Sequence, residues 1–187
     1  VAAASTAAIL AQQAESVLMV GTAGGIGPGV YPGDVVIAAE LLQHDMDARP
    51  LFDRWVVPSL GIARFAADRT LTGALAAAAE VVVGRRQGGT ARDPHWHLGL
   101  IVSGDSFVAT PSDSLSLTTT LPDALAVEMA SAAVAQVCHT AGIPFAVART
   151  ISDRADEDAA VDFPQFLAEV AGPYAAELVT AALPWCP

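Results

Sequence analysis

The sequence has few basic residues. Lysine and arginine together number 9 against 20 aspartates and glutamates, which leaves a net charge of −11. The densest basic pair, Arg85-Arg86, lies in the glycine-rich segment GRRQGGTARD, for which we expect a solvated loop. Proteins that bind nucleic acids normally present a basic surface to the phosphates, so this charge balance argues against a nucleic-acid partner.

Cysteine is also scarce, and the histidines do not have the spacing of metal ligands. The 2 cysteines, Cys138 and Cys186, form no CxxC pattern, so neither a disulfide framework nor a zinc site is predicted. The His95-x-His97 pair lies beside the glycine-rich segment, where we expect surface or packing roles rather than metal binding. Since no disulfide framework is present, we expect a reducing, cytoplasmic location.

Long apolar runs are absent. Although 53% of the residues are hydrophobic, no uninterrupted run approaches the ~20 residues that a bilayer-spanning helix needs, so no membrane association is predicted. The chain begins at Val1 rather than at a methionine, within a segment that reads as a helix, and no charged signal-peptide start precedes it. We therefore expect that the natural protein has a further N-terminal segment.

Strands alternate with helices along the chain. We predict helices at 1–14, 68–83, 130–141 and 163–183, and strands at 17–20, 35–39, 97–102, 125–127 and 143–151. Asp68 is the predicted N-cap of the second helix, and Gly142 is the predicted stop of the third. Several strands are apolar throughout, which is typical of strands covered on both faces. No linker or repeat divides the sequence, so we predict one α/β domain over residues 1–187.

Glycine or polar residues follow several of these strands. Ligands of α/β sheets bind beyond the carboxyl ends of the strands, and four segments reach such ends: GTAGG at 21–25, SGDSFV at 103–108, VEMAS at 127–131 and ISD at 151–153. GTAGG is not a dinucleotide fingerprint, because Pro28 and Pro32 interrupt the pattern and a strand follows it. We expect either a tight turn that lets backbone amides approach a ligand or an ordinary turn.

The other three segments each allow two interpretations. Phe107 is either a core aromatic residue or a platform for a ligand. Glu128 is either a carboxylate at the start of a helix or a ligand contact. Asp153 is either a helix cap or a catalytic acid. Their common placement at strand ends favours a shared site.

Taken together and in this order, the four segments resemble the nucleoside phosphorylase superfamily, specifically its 5′-methylthioadenosine/S-adenosylhomocysteine nucleosidases. The resemblance is carried by GTAGG with PGDVV after it, HDMD at 44–47, GLIVSGDSFV at 99–108, AVEMASAAVAQVCH at 126–139, ARTISDRAD at 148–156 and DFPQFL at 162–167. It extends from Val1 to about Leu183, and the GLIVSGDSF and ISD segments are its most specific parts.

The resemblance implies a three-layer α/β/α fold with a central mixed sheet and a homodimeric protein. It also implies hydrolysis of the N-ribosidic bond of a small-molecule nucleoside, with release of adenine and without a cofactor or a metal. Because adenine is a poor leaving group as an anion, a carboxylic acid must protonate its N7 as the bond breaks. Asp153 matches the general acid of the family, with Ser152 as its orienting partner.

Further matches concern the base and the floor of the site. Phe107 matches the residue that stacks on adenine, and Val108 matches one whose backbone contacts the edge of the base. The turn beneath the ribose corresponds to Thr22, Ala23 and Gly24.

The remaining matches concern the sugar and its 5′ substituent. Met129 matches a ribose contact, and Arg149 and Glu128 lie where the family keeps polar groups near the water and the sugar. Phe163 matches a wall of the apolar pocket for the 5′-alkylthio group. At Ala130 the family has a glutamate that binds the ribose hydroxyls.

Departures from the family pattern bear on the activity. Phosphorylases of the superfamily carry an arginine where this chain has Met19, and a thioether cannot neutralise a phosphate dianion, so hydrolysis is favoured. A charged hydrogen bond contributes roughly 1.5–3 kcal/mol, so Ala130 is expected to lower catalysis on the order of tenfold to a hundredfold. The family's water-activating glutamate would lie upstream of Val1. The alternatives are a non-catalytic nucleoside-binding homologue, a futalosine-type nucleosidase and a nucleoside phosphorylase.

Overall fold

A computed structural model describes residues 1–88, 92–155 and 166–186 of the chain. Its strands are β1 Val17–Gly25, β2 Val35–Gln43, β3 Arg64–Ala66, β4 Trp96–Ser103, β5 Ala124–Glu128 and β6 Phe145–Asp153. Its α-helices are α1 Ala2–Leu10, α2 Arg69–Gly84, α3 Pro111–Thr120, α4 Ser131–Ala141 and α5 Gly172–Ala182. A π-helical turn, Leu167–Ala171, precedes α5, and a 3₁₀ turn, Leu183–Trp185, follows it.

The strands form one mixed sheet in the order β3-β2-β4-β5-β1-β6, and β6 also pairs with β2. β1 and β6 are parallel to each other, whereas β5 is antiparallel to β1 and β2 is antiparallel to β6. One edge of β2 serves two neighbours, since Val35 to Ile37 pair with β6 and Glu40 to Leu42 pair with β3. The sheet therefore closes on itself, and the predicted mixed sheet is confirmed.

Helices cover both faces of the sheet. Because successive residues of a strand point to opposite faces, Val35 and Ile37 pack with α2 and α5, whereas Val36 and Ala38 pack with α4. All these valine and isoleucine side chains are fully buried. The three-layer α/β/α architecture is therefore confirmed, and the continuous apolar runs of the strands reflect burial on both faces.

The predicted helix ends at Asp68 and Gly142 are confirmed. The Asp68 carboxylate accepts hydrogen bonds from the backbone N–H groups of Thr70 and Leu71, both at 2.9 Å. Gly142 closes α4 in the left-handed conformation, with φ of 68°, which a residue with a side chain adopts less readily.

The glycine-rich segment is not a turn, and this prediction is wrong. Thr22, Ala23 and Gly24 continue β1, which pairs with β6 along its whole length and with β5 at its end. Gly21 and Gly24 instead leave space for side chains of β6. A Cβ at Gly24 would lie 3.0 Å from an Asp153 oxygen.

The basic pair after α2 differs in part from its prediction. Arg85 is exposed, but Arg86 pairs with Glu177 of α5 at 2.8 Å and stacks on the ring of Tyr174. Arg86 therefore links α2 to α5 instead of belonging to a solvated loop. Residues 89–91 of the same segment lie outside the described residues. Within the described part of the chain, no helix is long and apolar enough to cross a membrane.

Candidate active site

A cavity of about 550 Å³ lies where β1 and β6 end, between the segments that follow β4 and β5 and the start of α5. Every predicted site residue that the structure describes lines this cavity: Thr22, Ala23, Gly24, Phe107, Val108, Glu128, Met129, Ala130, Arg149, Ser152 and Asp153. Phe163 lies outside the described residues. The sheet thus brings four sequence segments to one place, as the strand-end pattern predicts.

The C-terminal side of the chain adds lining residues that the sequence analysis missed. Leu167, Ala171 and Ala175 line the cavity from the π-helical turn and α5, and Gly172 lies between them. Their spacing of four residues places them on one helical face. This spacing of apolar residues is a signal in the sequence, but packing between helices produces the same pattern.

Asp153 is the last residue of β6 and is only 4% exposed. One carboxylate oxygen accepts a hydrogen bond from the Ser152 hydroxyl at 2.6 Å, and the other accepts the Ala155 N–H at 2.8 Å. The Ser152 Oγ also lies 3.4 Å from the carbonyl oxygen of Ala23. These hydrogen bonds thus fix the orientation of the Asp153 carboxyl group at the cavity wall. Its bond to the N–H two residues ahead is typical of a local turn, but no helix starts there for it to cap within the described residues.

Glu128 and Arg149 form a buried ion pair at 2.7 Å, with side chains that are 6% and 5% exposed. Glu128 also accepts the N–H groups of Ala130 and Ser131, at 3.0 and 2.9 Å, and the hydroxyl of Ser103. The carboxylate therefore lies at the start of α4, which is the first of the two positions considered for Glu128. It also lines the cavity, as a ligand contact would have to. Both oxygens of Glu128 therefore accept hydrogen bonds, from one charged donor, one hydroxyl and two backbone N–H groups.

Arg149 makes further contacts with its guanidinium group. Its Nε and Nη2 donate to the Ser131 hydroxyl at 3.2 and 2.8 Å, and Nη2 also lies 3.3 Å from the Met19 sulfur. Burial lowers the pKa of Arg149, and the neighbouring Glu128 opposes this effect. The other terminal nitrogen, Nη1, lies directly against Gly21, where a Cβ would overlap it. Gly21 therefore makes room for Arg149 on the cavity wall.

Apolar side chains form the mouth of the cavity. Phe107, Met129 and Leu167 line the cavity, and each is 50% exposed. Phe107 is thus not a core residue, and the ligand-platform interpretation fits its position. An exposed aromatic face beside a concave site is suited to stacking on a planar base.

A second polar cluster, centred on Asp34, contacts β6. Asp34 is fully buried and accepts hydrogen bonds from Arg92 and the His95 N–H, and its Oδ2 lies 3.0 Å from the His97 ring. Its backbone carbonyl accepts the Ile151 N–H at 2.8 Å, two residues before Asp153. The His97 ring therefore contacts a buried carboxylate. Within the described ranges, no group of three His, Cys, Asp or Glu side chains is placed to hold a metal ion.

Comparisons with known proteins agree with this geometry. The family model of the phosphorylase superfamily matches residues 1–184. The 5′-methylthioadenosine/S-adenosylhomocysteine nucleosidase of Anoxybacillus flavithermus is 39% identical over 172 residues, which are 91% of this chain and 70% of that protein. The nucleosidase of the same name from Staphylococcus carnosus is 36% identical over 83% of this chain and 64% of its own length.

A solved structure is similar over nearly the whole chain. It is the 5′-methylthioadenosine/S-adenosylhomocysteine nucleosidase of Neisseria meningitidis in complex with methylthio-immucillin-A, with 38% identity, a TM-score of 0.84, and coverage of 97% of this chain and 75% of that one. The chain thus spans about two thirds to three quarters of the length of these relatives. It belongs to the phosphorylase superfamily and, within it, to the group of 5′-methylthioadenosine/S-adenosylhomocysteine nucleosidases.

Proposed function

We propose that this chain hydrolyses the N-ribosidic bond of 5′-methylthioadenosine and S-adenosylhomocysteine and releases adenine without a cofactor. One observation carries the proposal: Arg149 and Asp153 of β6 and Glu128 at the end of β5 line a single cavity. Residues 149 and 153 are separated by about 13 Å along a strand at ~3.3 Å per residue. This separation suits a nucleoside whose base lies at Asp153 and whose sugar lies towards Arg149.

Asp153 acts on the leaving group in this proposal. As the bond between C1′ and the base breaks, its electron pair goes to adenine, and the Asp153 proton goes to N7. The Ser152 hydroxyl and the Ala155 N–H, at 2.6 and 2.8 Å, then stabilise the carboxylate that remains. Water adds to C1′ and gives up a proton, so Asp153 can be protonated again and the products are adenine and a 5-substituted ribose.

The wall residues bind the rest of the substrate. Phe107 stacks on adenine, the backbone of Val108 contacts its edge, and Gly24 leaves space beside Asp153. Met129 and Ala130 lie beside the Arg149–Glu128 pair and therefore contact the sugar. Phe163 is proposed as a wall for the 5′ substituent.

Charge favours water over phosphate as the nucleophile. Among the described residues that line the cavity, Arg149 is the only basic one, and Glu128 pairs with it at 2.7 Å. The described lining therefore offers no unpaired cation to neutralise a phosphate dianion. The thioether of Met19 contacts Arg149 and adds no charge. Hydrolysis is therefore preferred to phosphorolysis.

The assembly and location belong to the same proposal. We propose a homodimer, because Leu51 and Leu115 are 83% and 67% exposed and Phe52 is 41% exposed, and a second subunit would cover such side chains. We propose a cytoplasmic role in methionine salvage, since Cys138 and Cys186 are both free, as a reducing compartment allows.

Chromatography of the reaction products tests this function. The chain and its Ala130→Glu variant are incubated with 5′-methylthioadenosine, S-adenosylhomocysteine or 6-amino-futalosine, with and without phosphate. Adenine together with free 5-substituted ribose supports hydrolysis. A sugar phosphate as the product would instead show a phosphorylase. Binding without adenine release in either protein, measured by calorimetry, would support the non-catalytic alternative.

A further inference from the structure

Ser131 lies behind the cavity, and none of the roles proposed above uses its side chain. It is the first residue of α4 and is 0% exposed. Its hydroxyl oxygen accepts two hydrogen bonds from the same guanidinium, from Nε of Arg149 at 3.2 Å and from Nη2 at 2.8 Å.

A helix-capping role does not account for this serine. Serine at a helix start usually accepts backbone N–H groups of the first turn. Here other side chains meet that need, because Glu128 accepts the N–H groups of Ala130 and Ser131, and Ser103 accepts that of Ala132 at 2.8 Å. The Ser131 hydroxyl is directed at Arg149 instead.

Two donors that converge on one oxygen fix the plane of the guanidinium. Glu128 and Met19 hold the Nη2 side of that plane, at 2.7 and 3.3 Å. The nitrogen that makes none of these bonds is Nη1, which lies against Gly21 on the cavity wall. The contact with Ser131 thus fixes which terminal nitrogen of Arg149 lies against Gly21.

We infer that Ser131 is a positioning residue that holds Arg149 with Nη1 directed at the sugar end of the cavity. This inference rests on the proposed function, in which the sugar lies towards Arg149, and it adds that Nη1 donates a hydrogen bond to the sugar or to the attacking water. A donor held in place before the reaction stabilises developing charge without reorganisation. The effect of losing Ser131 should therefore fall on kcat more than on KM.

Three substitutions distinguish the effect of the Ser131 hydroxyl oxygen from the effect of the volume of the side chain. Ser131→Ala removes the acceptor, Ser131→Cys keeps most of the volume with a weak acceptor, and Ser131→Thr keeps the hydroxyl. We expect kcat to fall about tenfold or more in the first two and to be largely retained in the third. Thr6→Ala is the matched control, since it removes a buried hydroxyl that bonds only within α1, and it should leave kcat unchanged.

A double-mutant cycle tests whether Ser131 acts through Arg149. In an Arg149→Met background, Ser131→Ala should lower kcat no further, because the group it positions is already absent. Equal effects in both backgrounds would overturn the inference. So would full activity of Ser131→Cys, since a weak acceptor would then suffice.

Nitrogen-15 NMR of the arginine side chains tests the same contact without any reaction. In the full chain, the Arg149 Nε–H should exchange slowly, and rotation of its terminal nitrogens should be hindered. Both features should disappear in Ser131→Ala and persist in Ser131→Thr. Unchanged spectra in Ser131→Ala would overturn the inference. If no protein released adenine, the proposed function would fail while these spectra would still decide whether Ser131 positions Arg149.

Discussion

The buried ion pair between Arg149 and Glu128 allows a prediction about the free energy of unfolding, with an exposed ion pair as its control. Arg149→Met removes the cation and leaves Glu128, 6% exposed, without its charged partner. Breaking a buried pair in this way costs about 3–5 kcal/mol. We expect a value near ~3 kcal/mol, because the Ser103 hydroxyl and the N–H groups of Ala130 and Ser131 still bind the carboxylate.

Thermal unfolding followed by circular dichroism measures this effect. For a chain of this size, each kcal/mol lowers Tm by roughly 2–4 °C, so Arg149→Met should lower Tm by about 6–12 °C. Arg64→Met is the control, because Arg64 and Asp123 pair at 2.6 Å but are 36% and 53% exposed. An exposed pair contributes only ~0–1 kcal/mol. Equal decreases of Tm in the two variants would show that burial is not the reason why the Arg149–Glu128 pair stabilises the fold.

Other predictions concern the cavity wall and the acid side of the stability curve. Gly21→Ala should displace Arg149 and lower kcat about tenfold or more, measured by adenine release. Phe107→Ala should weaken adenine binding, measured by calorimetry, by ~0.5–1.5 kcal/mol or more. Burial raises the pKa of Asp34, but hydrogen bonds from His97, Arg92 and two backbone N–H groups outweigh it and hold the pKa well below its ordinary value of 3.8. The ionised carboxylate therefore stabilises the fold above pH ~4, and this stability is lost as pH falls further. Asp34→Asn should make Tm less dependent on pH in that range.

Each of these predictions has an outcome that contradicts it. Wild-type kcat in Gly21→Ala would show that Arg149 does not need the space at Gly21. Unchanged adenine affinity in Phe107→Ala would exclude stacking on that ring. A Tm of Asp34→Asn that falls with acid as steeply as that of the unaltered chain would show that other carboxylates control acid unfolding.

Most of the strand and helix pattern could be predicted because local signals and packing agree there, but α3 and the short strand β3 were not predicted. Asp68 caps α2 with its own side chain, and Gly142 ends α4 at positive φ, so short-range chemistry determines both positions. The segment at 21–25 could not be predicted, because its glycines are explained by distant residues. Only the fold shows that Gly21 faces Arg149 and that Gly24 faces Asp153.

The candidate site was predictable wherever a motif of the family names the residue. Its supporting residues were not, since a serine at a helix start predicts a cap and not a partner for Arg149. Ser131 and Arg149 are separated by 18 positions along the chain and meet only because α4 begins beside β6. The same holds for Met19, which the sequence marks as a departure but not as a contact of Arg149.

The assignment of Asp153 as the general acid is tested by comparing adenine release from 5′-methylthioadenosine by this chain and by its Asp153→Asn variant. Asparagine keeps the size of the side chain but cannot give a proton to N7. We expect adenine release by the unaltered chain and a loss of about 10²–10⁴-fold in the variant, with adenine affinity retained when measured by calorimetry. Equal rates in the two proteins would contradict the assignment of Asp153 as the general acid.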